Sequence, residues 1–105
     1  MMTATDTEFL HRVKATVQVI DPTAEVWLFG SRARGDARED SDWDFLVLTE
    51  QTVNRPYKEL IRDQLFYLGL EQGHIISTTI KNRGQWEDLE LTNFYRCVQE
   101  DSVSI

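Results

Sequence analysis

Asp42 and Asp44 stand two residues apart in the run DSDWDFLVL. On an extended backbone that spacing turns both carboxylates the same way, so two hard oxygen donors can share one divalent ion or bridge two. Mg²⁺ typically takes one or two protein carboxylates and completes its shell with waters and substrate phosphate oxygens, which calls for an anion cradle nearby. Gly30-Ser31 lies ten residues upstream, at the end of the apolar run EVWLF. Gly30 allows close backbone approach, and Ser31 with the amides after it can open a short helical turn whose start favours phosphate. Arg32, Arg34 and Arg38 follow within seven positions. Two uses are open for Arg32 and Arg34: neutralising phosphate charge, or pairing at the surface with Asp36 or Glu39, which contributes only ~0 to 1 kcal/mol. Arg38 is expected in solvent. The plain reading of an Asp-rich stretch is a solvated loop. Against it, Glu39, Asp40, Asp42 and Asp44 repel one another unless a cation compensates them, and two of the four open an otherwise apolar strand.

Competing motifs fail on residue type. An EF-hand starting at Asp40 would need Gly in place of Phe45 and a bidentate Glu in place of Gln51. A P-loop needs Gly-Lys followed by Ser or Thr, which does not occur, and the dinucleotide-binding fingerprint needs three spaced glycines where this segment has only Gly30 and Gly35.

The elements that must position these groups follow from the apolar periodicity. Phe9, Leu10, Val13, Val17 and Ile20 form a helical stripe preceded by the capping residues Thr5, Asp6 and Thr7, predicting a helix over about 6–20 that breaks at Asp21-Pro22. Residues 25–29 read as a strand, 31–40 as a loop or short helical turn, and 42–48 as a second strand. In that strand Asp42, Asp44, Leu46 and Leu48 share one face and Trp43, Phe45 and Val47 the other, as in a central strand with only its first end at solvent. Pro56 and the stripe Leu60, Ile61, Leu65, Leu68 predict a helix over about 55–70 with Gly69 and Gly73 at its end. A third strand is expected over 74–80, two short helices through Trp86, Leu89, Leu91, Phe94, Tyr95 and Val98, and a terminal strand at 103–105. The sum is one α/β domain over 1–105.

Composition bounds the partners. Eleven basic against eighteen acidic residues give a net charge of −7, which disfavours long sequence-independent contacts with duplex phosphates but leaves a nucleotide open. There is no apolar run of the ~20 residues that a membrane span needs and no secretory leader pattern, so a cytoplasmic protein is expected. Cys97 is the only cysteine and is read as a buried thiol. Trp27, Trp43 and Trp86 are candidates for the core, and the oligomeric state is not legible.

The block GSRARGDAREDSDWDFLVL, a G-S-x10-D-x-D pattern, resembles the signature of minimal nucleotidyltransferases in the DNA polymerase β-like superfamily. The resemblance implies a small α/β (α+β) nucleotidyltransferase-like domain, a short mixed β-sheet flanked by helices. It further implies transfer of a nucleoside monophosphate, with AMP from ATP expected, to a hydroxyl acceptor on a protein, releasing pyrophosphate. By position, Gly30 and Ser31 would hold the triphosphate with Arg32 and Arg34 beside them, and Asp42 and Asp44 would be the catalytic, metal-binding pair for two Mg²⁺, or Mn²⁺. Relatives usually carry a third carboxylate on the strand after the middle helix. Here that stretch reads GHIISTTI, where only His74 and Ser77, with Glu71 just before, could stand in, and His74 is more simply structural. The resemblance also implies the alternative of an antitoxin or binding subunit for a small helical HEPN-like partner, with weak or no catalysis.

Overall fold

The computed structural model describes residues 2–105. Helix α1 (Ala4–Ile20) leads into strand β1 (Glu25–Phe29), the single turn α2 (Ser31–Arg34) and strand β2 (Trp43–Thr49). Helix α3 (Arg55–Gln72), strand β3 (Ile76–Asn82), helices α4 (Arg83–Glu87) and α5 (Asn93–Asp101) and the short strand β4 (Val103–Ser104) complete the order. The strands form one mixed sheet, β3-β2-β1-β4, in which β2 runs antiparallel to β1 and parallel to β3, and β4 runs antiparallel to β1. This is the mixed α/β architecture expected from the sequence.

The two faces of the sheet are covered differently. Val26, Leu28, Trp43, Phe45, Val47 and Ile80 pack against Phe9, Leu10, Val13 and Val17 of α1 and Ile61, Leu65 and Leu68 of α3, all buried. On the opposite face Leu46 and Leu48 meet Trp86 of α4 and Val98 of α5, with Trp27, Phe29 and Tyr95 half-buried around them. Both faces of β2 are therefore apolar over most of its length, and the strand alternation predicted from the sequence decides which face each aspartate shares.

Several boundaries differ from the sequence expectation. The cap of α1 is Thr3, whose hydroxyl accepts from the Asp6 amide while the Asp6 carboxylate accepts from the Thr3 amide, so the helix begins earlier than Thr5-Asp6-Thr7 suggested. The first residues of the predicted third strand, His74 and Ile75, instead complete the exit from α3: Gly73 takes a left-handed conformation (φ +73°) and the His74 amide donates to Gly69 O. Cys97 is exposed, not buried, because α5 turns only Val98, with Tyr95 beside it, toward the sheet. Trp43 and Trp86 are core residues and Trp27 is half-buried. Among the described residues no helix is long and apolar enough to cross a membrane.

Candidate active site

Strand β1 delivers Gly30 to a position beside Asp44, because Phe29 pairs with Asp44 across the antiparallel ladder. Gly30 has φ +76°, a left-handed conformation that a side chain would strain, and its carbonyl accepts the amides of Ala33 and Arg34 at 3.1 and 3.0 Å to close α2. A Cβ on Gly30 would overlap Asp44 Oδ2. The glycine thus lets the turn and the carboxylate occupy one narrow space, and any other residue would push one of them away.

Asp44 is half-buried and Asp42, just before β2, is exposed. Burial holds the Asp44 carboxyl above the usual carboxylate range, the charge of Asp42 pushes it further up, and Arg34 partly opposes both. Two carboxylates that repel one another, next to a backbone turn with no Cβ, form a donor set in want of a cation. One or two carboxylates with room for phosphate oxygens suit a hard divalent ion, so the residues present fit a magnesium-type site. Among the described residues no group of three or more His, Cys, Asp or Glu side chains comes together.

The three arginines separate. Arg34 lies within Coulombic reach of Asp44 and is held by two carboxylates, Nε to Asp36 Oδ2 at 3.2 Å and Nη1 to Asp101 Oδ2 at 3.1 Å. The surface pairing with Asp36 considered from sequence is present, and the contact with Asp101 at the end of α5 is one that no local spacing revealed. Arg32, expected near phosphate, faces the other way: its guanidinium lies 4.6 Å from the Trp43 ring centroid and donates to the carbonyls of Glu39 and Ser41. Trp43 points to the α1–α3 face, so in this conformation Arg32 braces the 36–41 loop and is not gathered with the aspartates. Arg38 is exposed.

The stand-ins for a third acid also separate. The His74 ring packs 4.6 Å from Phe9 and 5.6 Å from Trp43, centroid to centroid, on the α1 side, a structural role. Glu71 pairs with Arg12. Ser77 is the direct partner of Asp44 in the parallel β2–β3 ladder, so the two side chains share a face, and Ser77 is exposed. The sequence named Ser77 among the polar residues of the stretch, but which of them meets Asp44 depends on a parallel register that no local pattern encodes.

A sequence profile of the nucleotidyltransferase domain matches residues 8–96, which contain every residue of this site. The chain belongs to the nucleotidyltransferase domain family. It is 40% identical over 58 residues to the "Probable protein adenylyltransferase MntA" of Haemophilus influenzae, a match covering 55% of this chain and 47% of that protein, so the alignment spans about half the relative's length. Solved structures share the fold. The "Structure of putative minimal nucleotidyltransferase" superposes with TM-score 0.62 at 23% identity, covering 94% of both chains. A toxin–antitoxin structure with AMP-PNP gives 0.59 at 15% identity, over 89% of this chain and 69% of that one. A "putative nucleotidyltransferase from Sulfolobus solfataricus" gives 0.56 at 23% identity, over 92% of this chain and 76% of its own.

Proposed function

We propose that residues 1–105 act as one nucleotidyltransferase domain that moves AMP from ATP to a hydroxyl group on a protein acceptor, in the cytoplasm. The observation that carries this reading is the fit of the Asp44 carboxylate against Cβ-less Gly30, with Asp42 alongside and Arg34 within Coulombic reach. The likeness to a protein adenylyltransferase supports the choice of nucleotide and acceptor.

In this mechanism Asp42 and Asp44 would hold Mg²⁺, two ions with substrate, with Mn²⁺ able to replace it. When bound, the ions would stabilise the negative charge developing on the entering and leaving oxygens of an in-line displacement. Gly30 and Ser31 seat the triphosphate tail against bare backbone. Arg34 neutralises part of its charge, while Arg32 reaches phosphate only by leaving Trp43 and the loop carbonyls. The acceptor hydroxyl oxygen attacks the α-phosphorus as its proton passes to water, the bond to the oxygen bridging to the β-phosphate breaks and pyrophosphate leaves. The protein's task is positioning and charge compensation. The test is transfer of α-labelled ATP to a co-expressed small helical protein of the HEPN-like class: label on the partner with the parent and none with Asp42→Asn/Asp44→Asn supports it. Metal-dependent nucleotide binding with no transfer to any partner would leave the second reading, a binding or antitoxin-type subunit. That reading draws on the absence of a third acid among the described residues and on the structural likeness to a toxin–antitoxin protein.

A further inference from the structure

Ser77 combines three properties that the transfer reaction requires of an acceptor, and it belongs to the chain itself. It bears a hydroxyl, it is exposed on β3 at the edge of the sheet, and it is the ladder partner of Asp44, so its side chain rises from the same face one strand spacing away, ~4.8 Å between backbones. Thr79, the next residue on that face, pairs with Leu46 and stands further along the strands, away from the carboxylates. On the far side of Asp44 the neighbouring strand contributes Phe29, which has no nucleophile.

We propose that Ser77 is a site of self-modification, an internal hydroxyl acceptor that takes a nucleoside monophosphate when no external acceptor fills the site. The inference rests on the transferase reading above. In the step, Ser77 Oγ forms a bond to the α-phosphorus of a bound nucleoside triphosphate, the bond from that phosphorus to the bridging oxygen breaks, and pyrophosphate leaves with that electron pair. The hydroxyl proton passes to water at the open strand edge. The product is a phosphodiester-linked nucleotidyl-serine lying over Asp44, which would block further turnover at the same face.

Incubation of the parent chain with ATP and Mg²⁺, followed by intact-mass and peptide mass spectrometry, is expected to show a gain of one AMP located on Ser77. Ser77→Ala and Asp42→Asn/Asp44→Asn should each abolish it. A second readout does not need turnover. In a Cys97→Ser background, Ser77→Cys should react with a maleimide, and an ATP analogue with a non-cleavable α–β bridge plus Mg²⁺ should slow that alkylation several-fold. The inference is overturned if the parent binds ATP in a metal-dependent way yet Ser77 gains no mass, or if the thiol introduced by Ser77→Cys is not shielded while the analogue is bound; in both cases the transferase reading stands. If calorimetry shows no metal-dependent nucleotide binding at all, the transferase reading fails and the inference falls with it.

Discussion

Asp44 is placed where its own charge is costly. Because its folded carboxyl is held above the ordinary range by burial first and Asp42 second, the folded state binds the proton more tightly than the unfolded chain, and stability falls as pH rises through the interval between the two. Replacing it with Asn should therefore raise the denaturant midpoint at neutral pH while abolishing metal-dependent nucleotide binding. A midpoint that falls would contradict the electrostatic account. The same coupling predicts that metal-dependent binding is lost on acidification at a higher pH than for an ordinary carboxylate. In Asp42→Asn, whatever binding remains should have its acid limb moved to lower pH, as read by calorimetry across a pH series. Gly30→Ala is the complementary test: the added Cβ meets Asp44 Oδ2 in a left-handed backbone. It should cost about 1–3 kcal/mol in denaturant unfolding and displace the carboxylate, with nucleotide binding lost. Ser77→Asp would set a carboxylate in register with Asp44 and should raise transfer to an external acceptor on the order of tenfold, below the roughly 10²- to 10⁴-fold that an optimally positioned acid–base group supplies.

At the scale of elements, the far end of the sheet is locked by one buried carboxylate. Asp21 closes α1, and its oxygens accept from the Thr23 amide and hydroxyl, the Thr49 hydroxyl at the end of β2 and the Tyr57 hydroxyl in the first turn of α3. Burial raises the Asp21 carboxyl, but these hydrogen bonds outweigh it and leave it below its ordinary value, while burial, aided by Asp21, pushes Tyr57 up to about 12. A lowered folded value means stability that is present above the unfolded carboxylate pKa and lost as pH falls through the folded one. Asp21→Ala should cost about 1–3 kcal/mol by removing the acceptor of the buried Thr49 and half-buried Tyr57 hydroxyls, and it should flatten the acid limb of the stability profile; an unchanged acid limb would assign that limb to other groups. Asp21 was legible only as a helix breaker beside Pro22, since its partners come from β2 and α3. The strands and long helices were legible because their apolar periods are strong and local. The motif pair was legible because Asp44 interrupts an apolar strand and Asp42 stands just before it, so both mark themselves. The position of Ser77, the turning of Arg32 onto Trp43 and the tie from Arg34 to Asp101 were not legible, since each depends on how distant segments meet.

Over the whole molecule, the proposed function asks a chain of net charge −7 to hold a polyanion beside two of its own carboxylates. Arg34 is already shared between Asp36 and Asp101, so the proposed function predicts that nucleotide affinity depends on divalent cation. The direct measurement is calorimetric titration of ATP into the parent chain and into Asp42→Asn/Asp44→Asn, each with Mg²⁺ and with chelator. Binding to the parent that disappears both with chelator and in the double variant is the predicted result. Equal binding in all four arms, or none in any, would contradict the assignment of Gly30, Asp42 and Asp44 as a metal-dependent nucleotide site.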